Sequence, residues 1–415
     1  MAYRVSEALP PATGAMRIFS SLRYRDWRCL WFGLMFAQTG DWMDNLAINW
    51  LVLELTNSPL ALGTVNLVRG LPTLVFSVAG GVVADRFDRR QLMVWTNVGG
   101  VVCTALLAWL ASTAMLELWH IYGLLIARGV TIAFNSPARS SIIGDLVPRS
   151  DIANAIALHS SVFNSTRMVG PAIAGGLIGL FGSALVLWIN TVAHVICACF
   201  VWAMDPKTGK TTKTKASAWQ SVGEGITYLR REPVVMMLMI LGIVPFILGN
   251  PYQSMLPVFA KNVLFVGPEG LGLLTTAAAG GALVSAFVVS GMGDFRRKGL
   301  VMLMGLVAFG SLLVAFAYTP WPIVAGVMLF LVGASTQVYQ TTNSTLLQLM
   351  VPGEYRGRVF GIHQMDRGFI PVGSFIAGAI AEMAGAPFAV AAMGSLLVLA
   401  GFTVMIFVPR MRQLE

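Results

Sequence analysis

The chain has 415 residues, of which 56% are hydrophobic and only 11% are charged, and its mean hydropathy is +0.73. Soluble domains carry about 25% charged residues, so this composition excludes an ordinary soluble protein and predicts one whose main solvent is lipid. The net charge of +9 is explained by basic loops at an anionic membrane surface and does not require a nucleic acid partner.

Apolar segments of about 20 residues, the length that crosses a bilayer as a helix, recur along the chain and predict an all-α membrane protein with twelve transmembrane helices. The predicted spans are 30–54, 60–84, 92–112, 118–142, 155–181, 184–204, 234–260, 270–293, 299–318, 321–345, 358–383 and 387–408. Turn residues predict tight breaks at 57–59, 181–183 and 385–387. Most of the 28 Lys and Arg residues fall in alternate breaks, which places both termini in the cytoplasm by the positive-inside rule. We therefore expect an integral protein of the plasma membrane, in a bacterium the inner membrane, with the lipid bilayer as its partner.

The first span carries Asp41, Asp44, Asn45 and Asn49 at spacings that place them along one face of a helix. Asp41 lies about 17 Å along the helix from its cytoplasmic end, close to the centre of the hydrocarbon core. Charged groups at this depth cost about 2.5 kcal/mol or more, so we interpret the two aspartates as proton-coupling candidates and the two asparagines as cavity residues.

The loop after the second span contains the stretch 81–90, GVVADRFDRR, which resembles the loop signature of major facilitator transporters. It departs from that signature at Asp88, where glycine is usual. The resemblance implies a contact that latches one conformation, whereas a basic loop obeying the positive-inside rule is the simpler alternative. The residues assigned to this latch are Gly81, Asp85, Arg86, Arg89 and Arg90, with Asp294 in the degenerate second-half counterpart.

Two arginines, Arg128 in the fourth span and Arg167 in the fifth, lie at a depth similar to that of the two aspartates. We expect at least one of them to pair with Asp41 or Asp44. A nearby arginine favours the ionised carboxyl and desolvation disfavours it, so a partner that moves away would change protonation. The alternative is a static ion pair that holds the first bundle together.

The stretch 167–176 in the fifth span, RMVGPAIAGG, resembles a signature of exporters, with Ala174 in the first glycine position. Gly170, Pro171 and Gly175 predict a bend in this helix, although small-residue packing is the alternative. With the loop signature, this stretch makes the chain resemble the drug and siderophore exporter branch of the major facilitator superfamily, which includes enterobactin exporters and macrolide efflux proteins. That resemblance implies the major facilitator fold.

A long polar break separates six spans from six and contains an amphipathic stretch. Shifting the sequence by 209 residues superposes Gly63 on Gly272 and Asp85 on Asp294, which suggests two pseudo-symmetric six-helix bundles with a binding site between them. The predicted organisation is a cytoplasmic segment 1–29, a first bundle 30–204, a cytoplasmic linker 205–233, a second bundle 234–408 and a cytoplasmic tail 409–415.

In the second half, Asp366 follows His363 by three residues and precedes Arg367, and it is a further proton-coupling candidate. A packing or gating pair is its alternative. Neutral polar side chains on the seventh and tenth predicted spans are assigned to the substrate cavity, with interhelical hydrogen bonding as their alternative. These residues are Asn250, Tyr252, Gln253, Gln337, Gln340, Thr341 and Ser344.

His and Cys show no metal-binding spacing, and the pattern of an ATP-binding loop is absent. We therefore expect no enzyme activity, no metal and no cofactor, with the proton gradient as the energy source and a monomer as the working unit. The sequence predicts a proton-coupled exporter of small amphipathic organic molecules, of the drug or siderophore type. The alternatives are a nutrient symporter or facilitator, and a non-transporting membrane sensor or lipid-handling protein.

Overall fold

The computed structural model describes residues 14–205, 218–291, 293 and 296–414, apart from the side chains of 14–18, 78, 85 and 218–222. Over these residues the regular structure is entirely helical. The chain begins with a 3₁₀ helix, Gly14–Arg23, and continues through α1 (Arg25–Thr56), α2 (Pro59–Arg86), α3 (Arg89–Ser112), α4 (Leu118–Leu146), α5 (Ile152–Phe181) and α6 (Ser183–Trp202). The later helices are α7 (Ala218–Arg231), α8 (Pro233–Leu248), α9 (Tyr252–Val258), α10 (Gly267–Gly291), α11 (Lys298–Ala317), α12 (Pro322–Met350), α13 (Gly353–His363), α14 (Ile370–Ala384), α15 (Ala386–Phe407) and α16 (Pro409–Arg412).

The predicted tight turns are confirmed as the points where one helix ends and the next begins. Asn57, Gly182 and Gly385 have φ angles of +49°, +80° and +87°, which lie in the left-handed region. Asparagine and glycine tolerate this conformation better than other residues, so the chain reverses there without interrupting the apolar helices on either side.

Eight helical segments in the described part of the chain are long and apolar enough to cross a membrane. They correspond to predicted spans two, three, six, seven, eight, nine, ten and twelve. The other four predicted spans are helical but more polar, and they carry Asp41, Asp44, Arg128, Arg167 and Asp366. The five residues assigned to proton coupling therefore all lie outside the eight most apolar segments.

Two predicted spans are not single α-helices. The seventh consists of α8, α9 and a short π-helix, Phe259–Val263, and α8 ends at Leu248, with Gly249 as its C-cap shortly before Pro251. The eleventh consists of α13, a 3₁₀ stretch Gln364–Phe369 and α14. Pro371 has no N–H for the α-helical ladder, and the Ile370 N–H donates to the Arg367 carbonyl three residues back. Both breaks have a physical reason: a proline lacks the N–H that an α-helix needs, and the backbone next to it adopts 3₁₀ or π hydrogen bonding. Hydropathy does not reveal either feature.

The described contacts group the chain into two compact units. Among the described residues, the first unit comprises 14–45, 72–170 and 183–205. Its apolar core lies where the starts of α1, α3 and α5 meet the ends of α2, α4 and α6, and it includes Trp27, Leu30, Met93 and Ile142. The 3₁₀ helix before α1 is fastened to this core because Tyr24 and Ser20 donate hydrogen bonds to the Asp151 carboxylate at 2.9 and 2.7 Å. Burial, and then the hydrogen bond to Asp151, raises the pKa of Tyr24, so the phenol remains a neutral donor.

The second unit comprises 46–71, 171–182 and, in the described later part of the chain, 218–291, 293 and 296–414. Two glycine pairs bring helices of this unit into backbone contact. A Cβ added at Gly63 would lie 2.6 Å from the Ser374 carbonyl oxygen and 3.2 Å from the Gly378 Cα. A Cβ added at Gly175 would lie 3.0 Å from the Gly272 Cα. These paired-glycine contacts, Gly63 with Gly378 and Gly175 with Gly272, leave no room for a side chain.

The two units do not coincide with the two predicted bundles, because 46–71 and 171–182 group with the later part of the chain. The two units are defined by contacts in one conformation, whereas the two predicted bundles are defined by a repeat in the sequence, so the two divisions need not agree. The domain boundaries therefore stay a prediction.

Large apolar side chains are exposed on many helices, including Phe287, Ile323 and Leu180. Exposed apolar surface of this extent is typical of helices that face lipid. It agrees with the composition of the chain.

We predict that Gly175→Ala is less stable than Gly176→Ala by about 1–3 kcal/mol, because the new methyl group overpacks a helix contact. Gly176 is the matched control, since an added Cβ there meets nothing within 4 Å. Both changes alter helix propensity equally, so the difference isolates the contact. Thermal unfolding midpoints in detergent measure it, and equal midpoints would contradict the close approach of α5 to α10.

Candidate functional site

A buried cluster of charges joins α1 and α4 in the first unit. The Arg128 guanidinium donates to the Asp44 carboxylate at 2.5 Å and also to the Asp41 carboxylate. Arg128 and Asp44 are 5% and 1% exposed, whereas the Asp41 side chain is 37% exposed. The predicted pairing of an arginine with these carboxylates is present. Asp44 is therefore buried within the protein, whereas Asp41 is partly exposed.

The spacing of α1 explains this geometry. Asp41 and Asp44 are three residues apart and lie on one face, so a single planar guanidinium can bind both carboxylates through separate nitrogens. Arginine stays charged in proteins, so this cluster holds a permanent cation within α4.

His194 of α6 is a fourth member of the cluster. Its Nε2 atom lies 3.0 Å from the Asp41 Oδ1 atom and 3.4 Å from an Arg128 nitrogen. Nothing in the sequence around His194 indicates this contact. The close approach depends on Gly40, because a Cβ there would lie 2.5 Å from the Asn190 Oδ1 atom and 3.1 Å from the Ala193 Cβ atom on α6. The absence of a side chain at Gly40 lets α6 approach α1 closely enough to bring His194 to Asp41. The sequence alone does not show where two helices approach each other.

Arg167 lies in a different environment. Its guanidinium carbon is 5.8 Å from the centre of the Trp42 ring, and that ring packs edge-on against Phe163. Gly170, on the same helix, lets α5 pack against the Trp42 side chain. The helix α5 is continuous through Pro171, and the predicted bend stays a prediction.

The loop after α2 is held by contacts that differ from those of the expected latch. Arg89 donates to the Asp145 carboxylate of α4 at 2.6 Å, and Arg90 donates to the Trp202 carbonyl. Arg86 is exposed, and Gly81 meets no neighbour that would clash with a Cβ. The Asp85 side chain and Asp294 lie outside the described residues. The latch assignment therefore stays a prediction, with Asp145 as a partner that the sequence reasoning missed.

Asp88, where the signature has glycine, caps the next helix. Its carboxylate accepts a hydrogen bond from the Gln91 N–H at 2.8 Å at the start of α3. Aspartate is among the preferred N-cap residues, and the pattern Asp-x-x-Gln before an apolar segment is a signal that could have identified this cap.

In the second unit, Asp366 is 1% exposed and its Oδ2 atom lies 2.7 Å from the His363 Nδ1 atom. The 3₁₀ stretch that begins at Gln364 contains this aspartate, and mid-helix 3₁₀ geometry often marks a hinge. Gly242 of α8 lies beside the carboxylate, since a Cβ there would meet Oδ2 at 2.7 Å.

The predicted cavity residues fall into two groups. Along α12, Gln337 donates to the Thr341 hydroxyl at 2.9 Å, Gln340 is half-buried, and the Ser344 hydroxyl lies 3.4 Å from the His363 Nε2 atom. Other members are enclosed: Asn49 accepts from Asn66 at 2.8 Å, Asn250 donates to the Pro245 carbonyl at 3.2 Å, and Tyr252 is 5% exposed. Asn45 and Gln253 are half-buried. The α12 group is the more accessible of the two.

Comparison with solved structures identifies the class of fold. A bacterial homolog of the human lysosomal transporter Spinster, in an inward-facing and unoccupied conformation, aligns with a TM-score of 0.75 at 14% identity, over 94% of this chain and 98% of that one. A model of the transmembrane secretion effector family matches residues 16–415, and the chain belongs to that family, one of transporters of the major facilitator type.

Sequence relatives place the chain in the drug and siderophore exporter branch. It is 27% identical to the staphyloferrin A transporter of Staphylococcus aureus over 83% of this chain and 87% of the relative. It is 22% identical to macrolide efflux protein A of Streptococcus pyogenes over 88% of this chain and 92% of the relative. The expected family and branch are confirmed, and with them the expectation of a transporter rather than an enzyme.

We predict that Arg128→Met lowers the free energy of unfolding by about 3–5 kcal/mol, because Asp44 loses its guanidinium while buried. Adding Asp44→Asn should recover part of the loss, since a buried amide costs less than a buried carboxylate. The exposed Arg86→Met is the control and should change little. Denaturant or thermal unfolding in detergent measures all three, and a double variant no more stable than Arg128→Met would contradict the pairing.

Proposed function

We propose that this protein is a proton-coupled exporter of small amphipathic organic molecules that works by alternating access. The observation that carries the proposal is the Asp41–Arg128–Asp44 cluster, in which one carboxylate is buried and the other is partly exposed. An ion pair with one accessible member can exchange a proton when its partner moves, and a fully enclosed pair cannot.

The proposed transport direction and substrate class rest on the names of the sequence relatives. Their names describe a staphyloferrin A transporter and a macrolide efflux protein. The neutral donors and acceptors along α12 would suit an amphipathic substrate, since binding sites combine apolar walls with a few placed polar groups. We propose no cofactor, with the proton gradient as the energy source and a monomer as the working unit.

The architecture that we propose is twelve transmembrane helices in two six-helix bundles with both termini cytoplasmic. Under that topology the paired-glycine contacts lie toward the outer side of the membrane. Near one of them, Glu382 accepts hydrogen bonds from the Ser58 hydroxyl at 2.7 Å and the Leu60 N–H at 3.1 Å. We propose that these contacts close the outer side and separate when substrate leaves.

Transport measurements on aspartate variants test the coupling. In inverted vesicles with an acidic interior, we expect accumulation of ethidium, a macrolide or staphyloferrin A by the unaltered protein. Asp41→Asn should reduce gradient-driven uptake about tenfold or more while counterflow of the same probe continues, because counterflow needs no net proton movement. Asp44→Asn and Asp366→Asn test whether the enclosed carboxylates share the role.

Asp88→Asn is the matched control, because asparagine also caps helices and the position lies in a loop. Full gradient-driven uptake in all three membrane variants would contradict proton coupling at these sites. Uptake only in vesicles of native orientation, driven by external acid, would favour the nutrient symporter.

A cross-linking experiment tests the outer closure. In a background with Cys29, Cys103, Cys197 and Cys199 replaced by serine, Ser58→Cys with Glu382→Cys should react with a short bifunctional thiol reagent. We expect transport to stop after cross-linking and to return on reduction, because the two helices can no longer separate. The single-cysteine variants are the controls, and undiminished transport by the cross-linked protein would contradict the assignment.

A further inference from the structure

We infer that His194 is the proton-binding group of the cluster and that Asp41 orients it. The inference rests on the proposed function and deepens it by naming the atom that carries the proton. It starts from the position of the ring, whose Nε2 atom lies between the Asp41 carboxylate at 3.0 Å and an Arg128 nitrogen at 3.4 Å.

The two groups next to Nε2, the Arg128 guanidinium and the Asp41 carboxylate, have opposite hydrogen-bonding roles. A guanidinium only donates hydrogen bonds, and an ionised carboxylate only accepts them. A ring with a proton on Nε2, whether the neutral tautomer or the imidazolium, donates to Asp41 and repels Arg128. A ring whose only proton is on Nδ1 accepts from Arg128 and repels Asp41. Gain or loss of one proton at this atom changes which partner the ring favours.

Electrostatic attraction supports the same assignment. The Asp41 Oδ1 atom contacts both the Arg128 guanidinium and the His194 ring. An imidazolium at His194 is attracted by the Asp41 carboxylate, and the proton comes from the surrounding water.

Other titratable groups near the ring are less suited to the role. On α4, Arg139 acts on Asp41 through its charge, but an arginine keeps its proton. The thiols of Cys103 on α3 and Cys197 on α6 are buried and carry no charge when protonated. Histidine is the side chain whose ordinary pKa, about 6.5, lies in the physiological range.

The protonated ring competes with Arg128 for the Asp41 carboxylate, because Asp41 Oδ1 contacts both groups. Arg128 then keeps Asp44, and its hold on Asp41 weakens. Proton binding at His194 therefore weakens the contact between α1 and α4. This local change would favour the conformational change that alternating access requires.

Nuclear magnetic resonance of protein labelled with ¹⁵N-histidine, reconstituted in nanodiscs without substrate, tests the site directly. The chain has four histidines, so the resonance missing from His194→Gln assigns the ring. We expect the ring to gain and lose a proton across the physiological range in the unaltered protein. In Asp41→Asn the ¹⁵N shifts of the ring should respond differently to pH, because its Nε2 atom no longer faces a carboxylate. A His194 ring that stays neutral from about pH 5 upward, or whose response to pH is the same in Asp41→Asn, would overturn the inference.

Transport gives the second readout, in inverted vesicles with ethidium, a macrolide and staphyloferrin A as probes. His194→Gln should lower gradient-driven uptake about tenfold while counterflow continues, and His159→Gln, the same change on α5, should alter neither. Full gradient-driven uptake by His194→Gln would refute the role of His194 and leave the proposed function standing. A His194 ring that titrates in an Asp41-dependent manner, in a protein that shows no gradient-driven flux of any probe, would support the site and refute the proposed function.

Discussion

The contact on which the first unit depends is the guanidinium of Arg128 held between two carboxylates of one helix. In water such a pair contributes little, but inside a membrane protein each of these charges is expensive to leave alone. Breaking a buried pair by removing one partner costs about 3–5 kcal/mol, which is comparable to a large part of a domain's stability. The cluster therefore fixes how α1 and α4 pack, and Gly40 allows α6 to approach the same point.

Much of the fold could be predicted from the sequence, because lipid imposes a length and a polarity on every spanning helix. Turn residues such as Asn57 and Gly385 marked helix boundaries, and the spacing of Asp41 and Asp44 placed both on one face. These signals are local, and they are set by helical geometry that holds whatever surrounds the helix. The breaks inside the seventh and eleventh predicted spans were missed, since 3₁₀ and π geometry leave the hydropathy unchanged.

The site was less predictable, because its members meet through tertiary packing. Nothing in the sequence near His194 indicates a carboxylate 3.0 Å away on a helix about 150 residues earlier in the chain. Asp145, which binds Arg89, was missed for the same reason. Asp88 differs, since its departure from the signature has a local explanation as a helix cap that helix-start rules could have supplied. Sequence reasoning thus found the charged residues but not all of their partners.

The two halves place their membrane acids in different kinds of contact. Asp41 is bound by groups from α4 and α6, so any shift among these helices changes its surroundings. Asp366 contacts His363, one turn earlier on its own chain segment, and that contact survives a rigid movement of the helix. A change in backbone geometry where α13 passes into the 3₁₀ stretch would separate the second pair. The first pair is therefore sensitive to movement of helices past one another, whereas the second pair responds to the internal geometry of one chain segment.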